Sequence, residues 1–169
     1  MWNGKRYHSF DFDCRERFGK KLYKLSLNAG FTCPNRDGTL GTRGCIFCSA
    51  GGSGDFAASS KLTITEQIGQ ARQLVAAKNP SGQYIAYFQA YTNTYAPLPV
   101  LERVFFEAAS HPDIAALSIA TRPDCLGREV LSLLKRLSEI KPVTVELGLQ
   151  TIHENSAAFV RRGYPLNVY

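Results

Sequence analysis

From residue 21 onward, short apolar runs alternate with segments of helical period, and this alternation limits the fold more than any other feature of the chain. The runs at 21–27 (KLYKLSL), 83–90 (QYIAYFQA), 114–121 (IAALSIAT) and 143–150 (VTVELGLQ) read as strands, being short and rich in β-branched, aromatic or other apolar residues. Residues 63–79 read as a helix, with Thr63 and Glu66 at capping-box spacing and Ile68, Ala71 and Val75 as the apolar stripe. Residues 97–110 place Leu101, Val104, Phe105 and Ala108 on one helical face. Residues 127–140 do the same with Val130, Leu133, Leu134 and Leu137, and 154–163 read as a last helix capped by Gly163. The order β-α-β-α-β-α-β-α predicts a parallel sheet with helices on its outer face. The strands lack clean polar–apolar alternation, which predicts that both faces are covered.

In parallel α/β folds the loops that follow strand C-termini build the site. The sequences at those positions are unusually polar here: a glycine-rich loop after the first strand, then QAYTNTYAP, TRPDCL and QTIHEN. All four are expected on one rim.

The loop after the first strand, GFTCPNRDGTLGTRGCIFCSAGGSGDF (30–56), carries Cys33, Cys45 and Cys48, three of five cysteines. Clustered, odd-numbered cysteines point to metal or redox chemistry rather than to a disulfide framework. A Cys-x2-Cys pair serves zinc, redox and cluster sites alike. A closed structural zinc site wants four ligands, and His8 or Cys14 is the available fourth. Three thiolates on a four-iron cluster leave one iron open. A thioredoxin-type dithiol is disfavoured, because Ser49 to Gly54 follow where a helix should begin. From the residues alone, zinc and cluster both stand.

The segment KLYKLSLNAGFTCPNRDGTLGTRGCIFCSAGGSGDFA, set at the head of a βα array, resembles the radical S-adenosylmethionine (SAM) superfamily in its YhcC-type branch, similar to Elongator-type and coproporphyrinogen-oxidase-type radical SAM domains. The resemblance covers essentially the whole chain. It implies a partial, open α/β barrel with about four of six parallel βα units, so that residues 21–169 form the front part of a longer domain behind a basic extension at 1–20. It implies a [4Fe–4S] cluster on Cys33, Cys45 and Cys48 with SAM on the open iron. It further implies reductive cleavage of SAM to a 5′-deoxyadenosyl radical, with electrons from a donor protein. The hard chemistry is then the cofactor's. Phe47 is expected beside the SAM adenine. The usual Gly-Gly-Glu-type turn after the second strand is missing, so Gln89, Thr92 or Asn93 is expected to supply acceptors for the SAM amino group. Relatives carry a glutamate immediately before TRPD, where this chain has Ala120. Arg122 and Asp124 remain there, and Arg122 is expected to face SAM or to serve a turn. Gln150 of GLQT is expected to bond the SAM ribose or carboxylate. The resemblance names no catalytic side chain.

The net charge of +6 is uneven: residues 1–50 hold nine Lys/Arg against four Asp/Glu. This surplus is expected to lie beside the site, which suggests a polyanionic substrate such as tRNA held by Lys5, Arg6, Arg15, Arg17, Lys20 and Lys21. The rival from another class is a non-enzymatic, zinc-binding nucleic-acid module. No apolar run approaches the roughly 20 residues of a membrane span, and the polar N-terminus lacks a signal core, so a cytoplasmic protein with no membrane partner is expected. Cys14 and Cys125 are read as free thiols, His111 and His153 as helix-end and surface residues, and Tyr84, Tyr87 and Phe88 as packing.

Overall fold

The computed structural model describes residues 1–2, 4–79 and 82–169. Its strands are β1 (Tyr23–Leu27), β2 (Tyr84–Phe88), β3 (Ile114–Thr121) and β4 (Val143–Leu147). They pair in parallel in the order β1-β2-β3-β4. Its helices are α1 (Phe10–Phe18), α2 (Ile64–Val75), α3 (Leu98–Ser110), α4 (Arg128–Ser138) and α5 (Glu154–Phe159). The chain is thus an α/β structure in which strands and helices alternate after α1.

Register decides which side chains share a face. Leu25 pairs with Ala86 and Leu27 with Phe88, and these continue into Leu117 and Ile119 and then Val143 and Val145. That face is the core. Ile64 and Ile68 of α2, Leu101, Val104 and Phe105 of α3, and Leu133, Leu134 and Leu137 of α4 all pack on it. Phe105 sits at the centre, edge-to-face with Phe88 at 5.0 Å and with Phe31 at 6.4 Å. The capping box at the start of α2 forms as its spacing predicts: Thr63 N–H donates to Glu66 at 2.8 Å, and Glu66 N–H to the Thr63 hydroxyl at 3.2 Å.

The opposite face differs from the expectation of apolar cover. It presents Lys24, Ser26, Tyr87, Ser118, Thr144 and Glu146, one strand after another. Its N-terminal end is closed by α1, whose Cys14 packs with Leu22, Ile85 and Ala116. Residues 1–20, expected as a basic extension, contain a capped helix: Ser9 caps α1 by accepting from Phe12 N–H at 3.2 Å, and Gly19 closes it in the left-handed region at φ 71°.

Two of the boundaries that move bear on the site. β4 stops at Leu147, and Gln150 takes a left-handed φ of 66° beyond it. α5 stops at Phe159 with Val160 as its cap, so Gly163 does not cap it. Arg161 (φ 59°) and Gly163 (φ 83°) instead turn the chain back toward the cysteine loop.

Candidate functional site

The four strand ends meet around a cavity of about 310 Å³. Cys33, Cys45, Phe47 and Cys48 form the wall contributed by the loop after β1. Gln89 and Thr92 enter from the end of β2, Arg122 from the end of β3, and Gln150 from beyond β4. Cys48, Gln89, Arg122 and Gln150 therefore share one rim, as the strand order predicts. Asn93 does not line it. Fully buried, it donates through Nδ2 to the Phe88 carbonyl at 3.0 Å and the Ala120 carbonyl at 2.9 Å, tying the end of β2 to β3. Its nitrogen is spent on the sheet, and Asn93 does not face the cavity, so the expected acceptor role lacks the placement that Gln89 and Thr92 have. Its Oδ1 is buried with no hydrogen-bond partner among the described residues.

The thiols are unequal. A hydrogen bond from Cys45, helped by the Ser53 hydroxyl and the Arg36 guanidinium, pushes Cys48 down to about 6. Cys45, sharing that bond and half-buried, is raised and keeps its proton. Arg36 is held over the loop by the Ser49 carbonyl at 2.6 Å. A Cβ on Gly44 would meet its Nε at 2.8 Å, so glycine lets the guanidinium lie against the backbone. The loop is also stitched to the β2 end: Tyr91 N–H donates to Gly52 O at 2.9 Å and Thr92 N–H to Thr32 O at 3.2 Å.

A second support was not anticipated. The turn after α5 grips the cysteine loop from outside. Ile46 N–H donates to Val160 O at 3.2 Å, and Asn35 Nδ2 lies 2.7 Å from Arg161 O and 3.3 Å from the Cys45 sulfur. Arg162 is only 1% exposed. It donates to the carbonyls of Thr151 at 2.7 Å and Tyr164 at 2.8 Å, and to the Glu154 carboxylate at 3.1 Å. Arg122 closes the ring, donating to Arg162 O at 2.9 Å and to the Asp124 carboxylate at 2.7 and 2.9 Å. Its guanidinium thus serves the turn and also lines the cavity. Adjacent arginines before a Gly-Tyr pair were the available signal for this brace.

The floor was also missed. Tyr87, read as a packing residue, lines the cavity and donates to Glu146 at 3.2 Å. Glu146 also takes Lys24 and Ser118, so all four strands contribute. It stands beside Ala120 in the register, and so brings a carboxylate to the row where the sequence has alanine. Burial opposes its charge, but Lys24 and Ser118 outweigh that and hold it below the usual carboxylate range. Burial, with the Glu146 charge, pushes Tyr87 up to about 12.

The remaining candidates lie elsewhere. His8 contacts Glu16, Trp2 and Phe12 beside α1, and Cys14 is buried under α1; neither lines the cavity. Cys125 lines a neighbouring hollow, and burial pushes it up to about 12. Lys5, Arg6, Arg15, Arg17, Lys20 and Lys21 belong to α1 and its flanks, at the end of the strands away from the thiols. The basic residues of α1 are thus parted from the site, since α1 packs against the starts of the strands and the cysteine loop leaves from their ends, whereas Arg36 of the same surplus lines the cavity. Among the described residues no group of three or more His, Cys, Asp or Glu side chains is gathered tightly enough to hold a metal ion. No helix is long and apolar enough to cross a membrane among those residues.

No protein-family model matches the chain. It is 47% identical over 165 residues to the Bacillus subtilis protein YtqA, covering 98% of this chain and 51% of YtqA. It is 40% identical over 166 residues to YhcC of Escherichia coli, covering 98% and 52%, and 30% identical over 167 residues to MJ0486 of Methanocaldococcus jannaschii, covering 97% and 50%. The chain spans about half the length of the curated relatives it matches.

Proposed function

We propose that this chain carries the cluster- and SAM-binding site of a radical SAM iron–sulfur enzyme of the YhcC-type branch, built on an open partial barrel. The observation that carries the reading is that three thiols from one loop line a single cavity at the C-terminal ends of four sequentially ordered parallel strands. Packing of α2, α3 and α4 on one face only supports the barrel arc, and the likeness to YhcC supports the branch.

The residues suit the group. Thiolate is the ligand form, and Cys48 is already predominantly ionised near neutrality, so loading must displace the proton that Cys45 retains. The zinc alternative lacks its fourth ligand, since His8 and Cys14 stand at the other end of the strands. When bound, the cluster and SAM together supply a 5′-deoxyadenosyl radical for hydrogen abstraction. Around them Gln89, Thr92 and Gln150 offer polar atoms, Arg122 a cation for a carboxylate, and Phe47 a half-exposed ring for the adenine. A tRNA substrate that also used the basic end would span strands of five residues, roughly 17 Å, which is short for an RNA of that size.

Anaerobic reconstitution of the full chain with iron and sulfide tests the proposal. The expected product is brown, with about four irons per chain. Cys33→Ala, Cys45→Ala and Cys48→Ala should each abolish assembly, while Cys14→Ala and Cys125→Ala should not. A colourless protein that retains one zinc through Cys14 would overturn it.

A further inference from the structure

Asn35 lies two residues beyond Cys33 and is 5% exposed. Its Nδ2 is 2.7 Å from Arg161 O, 3.2 Å from Arg162 O and 3.3 Å from the Cys45 sulfur. The two carbonyls fix which way the amide faces, because only the nitrogen can donate to them. That nitrogen has two protons for three acceptors, so the one directed at sulfur is shared with a carbonyl. The carbonyls reach Asn35 because the turn after α5 is left-handed at Arg161 and at Gly163. A Cβ on Gly163 would meet Asn35 Oδ1 at 2.5 Å, so the side chain is held from that side as well. The Asn35 carbonyl accepts from Gly44 N–H at 2.8 Å, which fixes the residue against the strand of loop that presents Cys45.

Resting on the iron–sulfur reading above, we infer that Asn35 is a positioning residue that sets the electron affinity of the site through an N–H···S bond to the Cys45 thiolate. A hydrogen bond to a ligating sulfur draws charge from it and stabilises the more negative, reduced state, so it raises the reduction potential. Water does not take over this bond when it is lost, because the amide is buried against the turn. The amide is neutral, so its effect is the same across ordinary pH.

Equilibrium redox titration of the reconstituted full chain, with dithionite as the one-electron donor and the paramagnetic signal of the reduced cluster as the readout, tests this. The variants are Asn35→Ala, Asn35→Asp and Gly163→Ala. Each is expected to take up iron like the wild type and to become reduced only at a more negative potential. Asn35→Asp is expected to shift furthest, since it keeps the shape, cannot donate and adds charge. Gly163→Ala touches no cysteine: its Cβ would displace Asn35, and because it also strains a left-handed turn and comes within 3.4 Å of Arg122, a shift in Gly163→Ala without one in Asn35→Ala counts against the inference. Unchanged midpoints at wild-type iron content overturn the inference. Loss of iron together with a lowered Tm in both Asn35→Ala and Gly163→Ala also overturns it, because Asn35 then only folds the loop. A wild-type chain that takes up no iron and sulfide is a distinct result: it removes the iron–sulfur reading, and this inference falls with it.

Discussion

Cys45 and Cys48 divide one proton unequally, and the inequality has a kinetic signature in the metal-free chain. Thiolate is the nucleophile, so alkylation of Cys48 should rise as pH increases through about 6. At pH 6 about half of Cys48 is ionised, against roughly 0.3% of an ordinary thiol with a pKa near 8.5. The lower nucleophilicity of a weakly basic thiolate takes back about 13-fold and leaves about a tenfold advantage. Mass mapping after brief iodoacetamide treatment at pH 6 should find Cys48 labelled first. Cys14, buried under α1, should stay unlabelled until the protein unfolds. Labelling of Cys45 ahead of Cys48 would reverse the assignment of the proton. The three cysteines, Gln89, Thr92, Arg122 and Gln150 were legible as a group because strand order alone sends them to one rim. Asn93 was not, because sequence gives no sign that its nitrogen bonds two strand carbonyls and keeps the side chain off the cavity.

At the scale of elements, the sheet has a dry face and a wet one. The helices on the dry face were legible from period and capping, as with Thr63 and Glu66, because those signals are local. The wet face was misread. Lys24 and Ser26, Ile85 and Tyr87, and Thr144 and Glu146 recur at every second position, but each run is five residues long and the apolar positions dominate it. α1 escaped because FDFDCRERF alternates aromatic and acidic residues and buries only Cys14. The wet face has a stability consequence. Glu146→Ala leaves Lys24, Ser118 and Tyr87 without their common acceptor and should cost about 1–3 kcal/mol in urea unfolding. Because the Glu146 pKa is lowered in the folded state, its contribution is present above the unfolded carboxylate pKa and is lost as pH falls through the folded one. Wild type should therefore lose more stability than Glu146→Gln over that acidic range. Parallel curves for the two proteins would mean that the network carries no net charge-dependent stability.

Over the whole molecule, the sheet's two outer strands each have one pairing partner among the described residues, β2 for β1 and β3 for β4. β4 is the more exposed, with none of its five residues buried. An edge of unpaired backbone groups accepts another strand. Light scattering should find self-association of the 169-residue chain that grows with concentration, and Thr144→Lys, at an exposed β4 position, should suppress it. Identical behaviour of the two proteins would show that β4 is not the contact. The brace on the cysteine loop acts over a comparable span of chain. Asn35 and Arg161 are 126 residues apart in sequence, and Cys45 and Arg161 are 116 apart. At about 5–20 residues per second, a ribosome needs roughly 6–25 s to pass from one to the other. Throughout that interval the three thiols lack the contacts that the turn after α5 makes to their loop. Oxidants and stray metals then meet the loop before its brace has been made. On the iron–sulfur reading proposed above, the order in which metal and fold arrive is then set by translation, and a chain loaded after release is a different reactant from one loaded while it is still being synthesised.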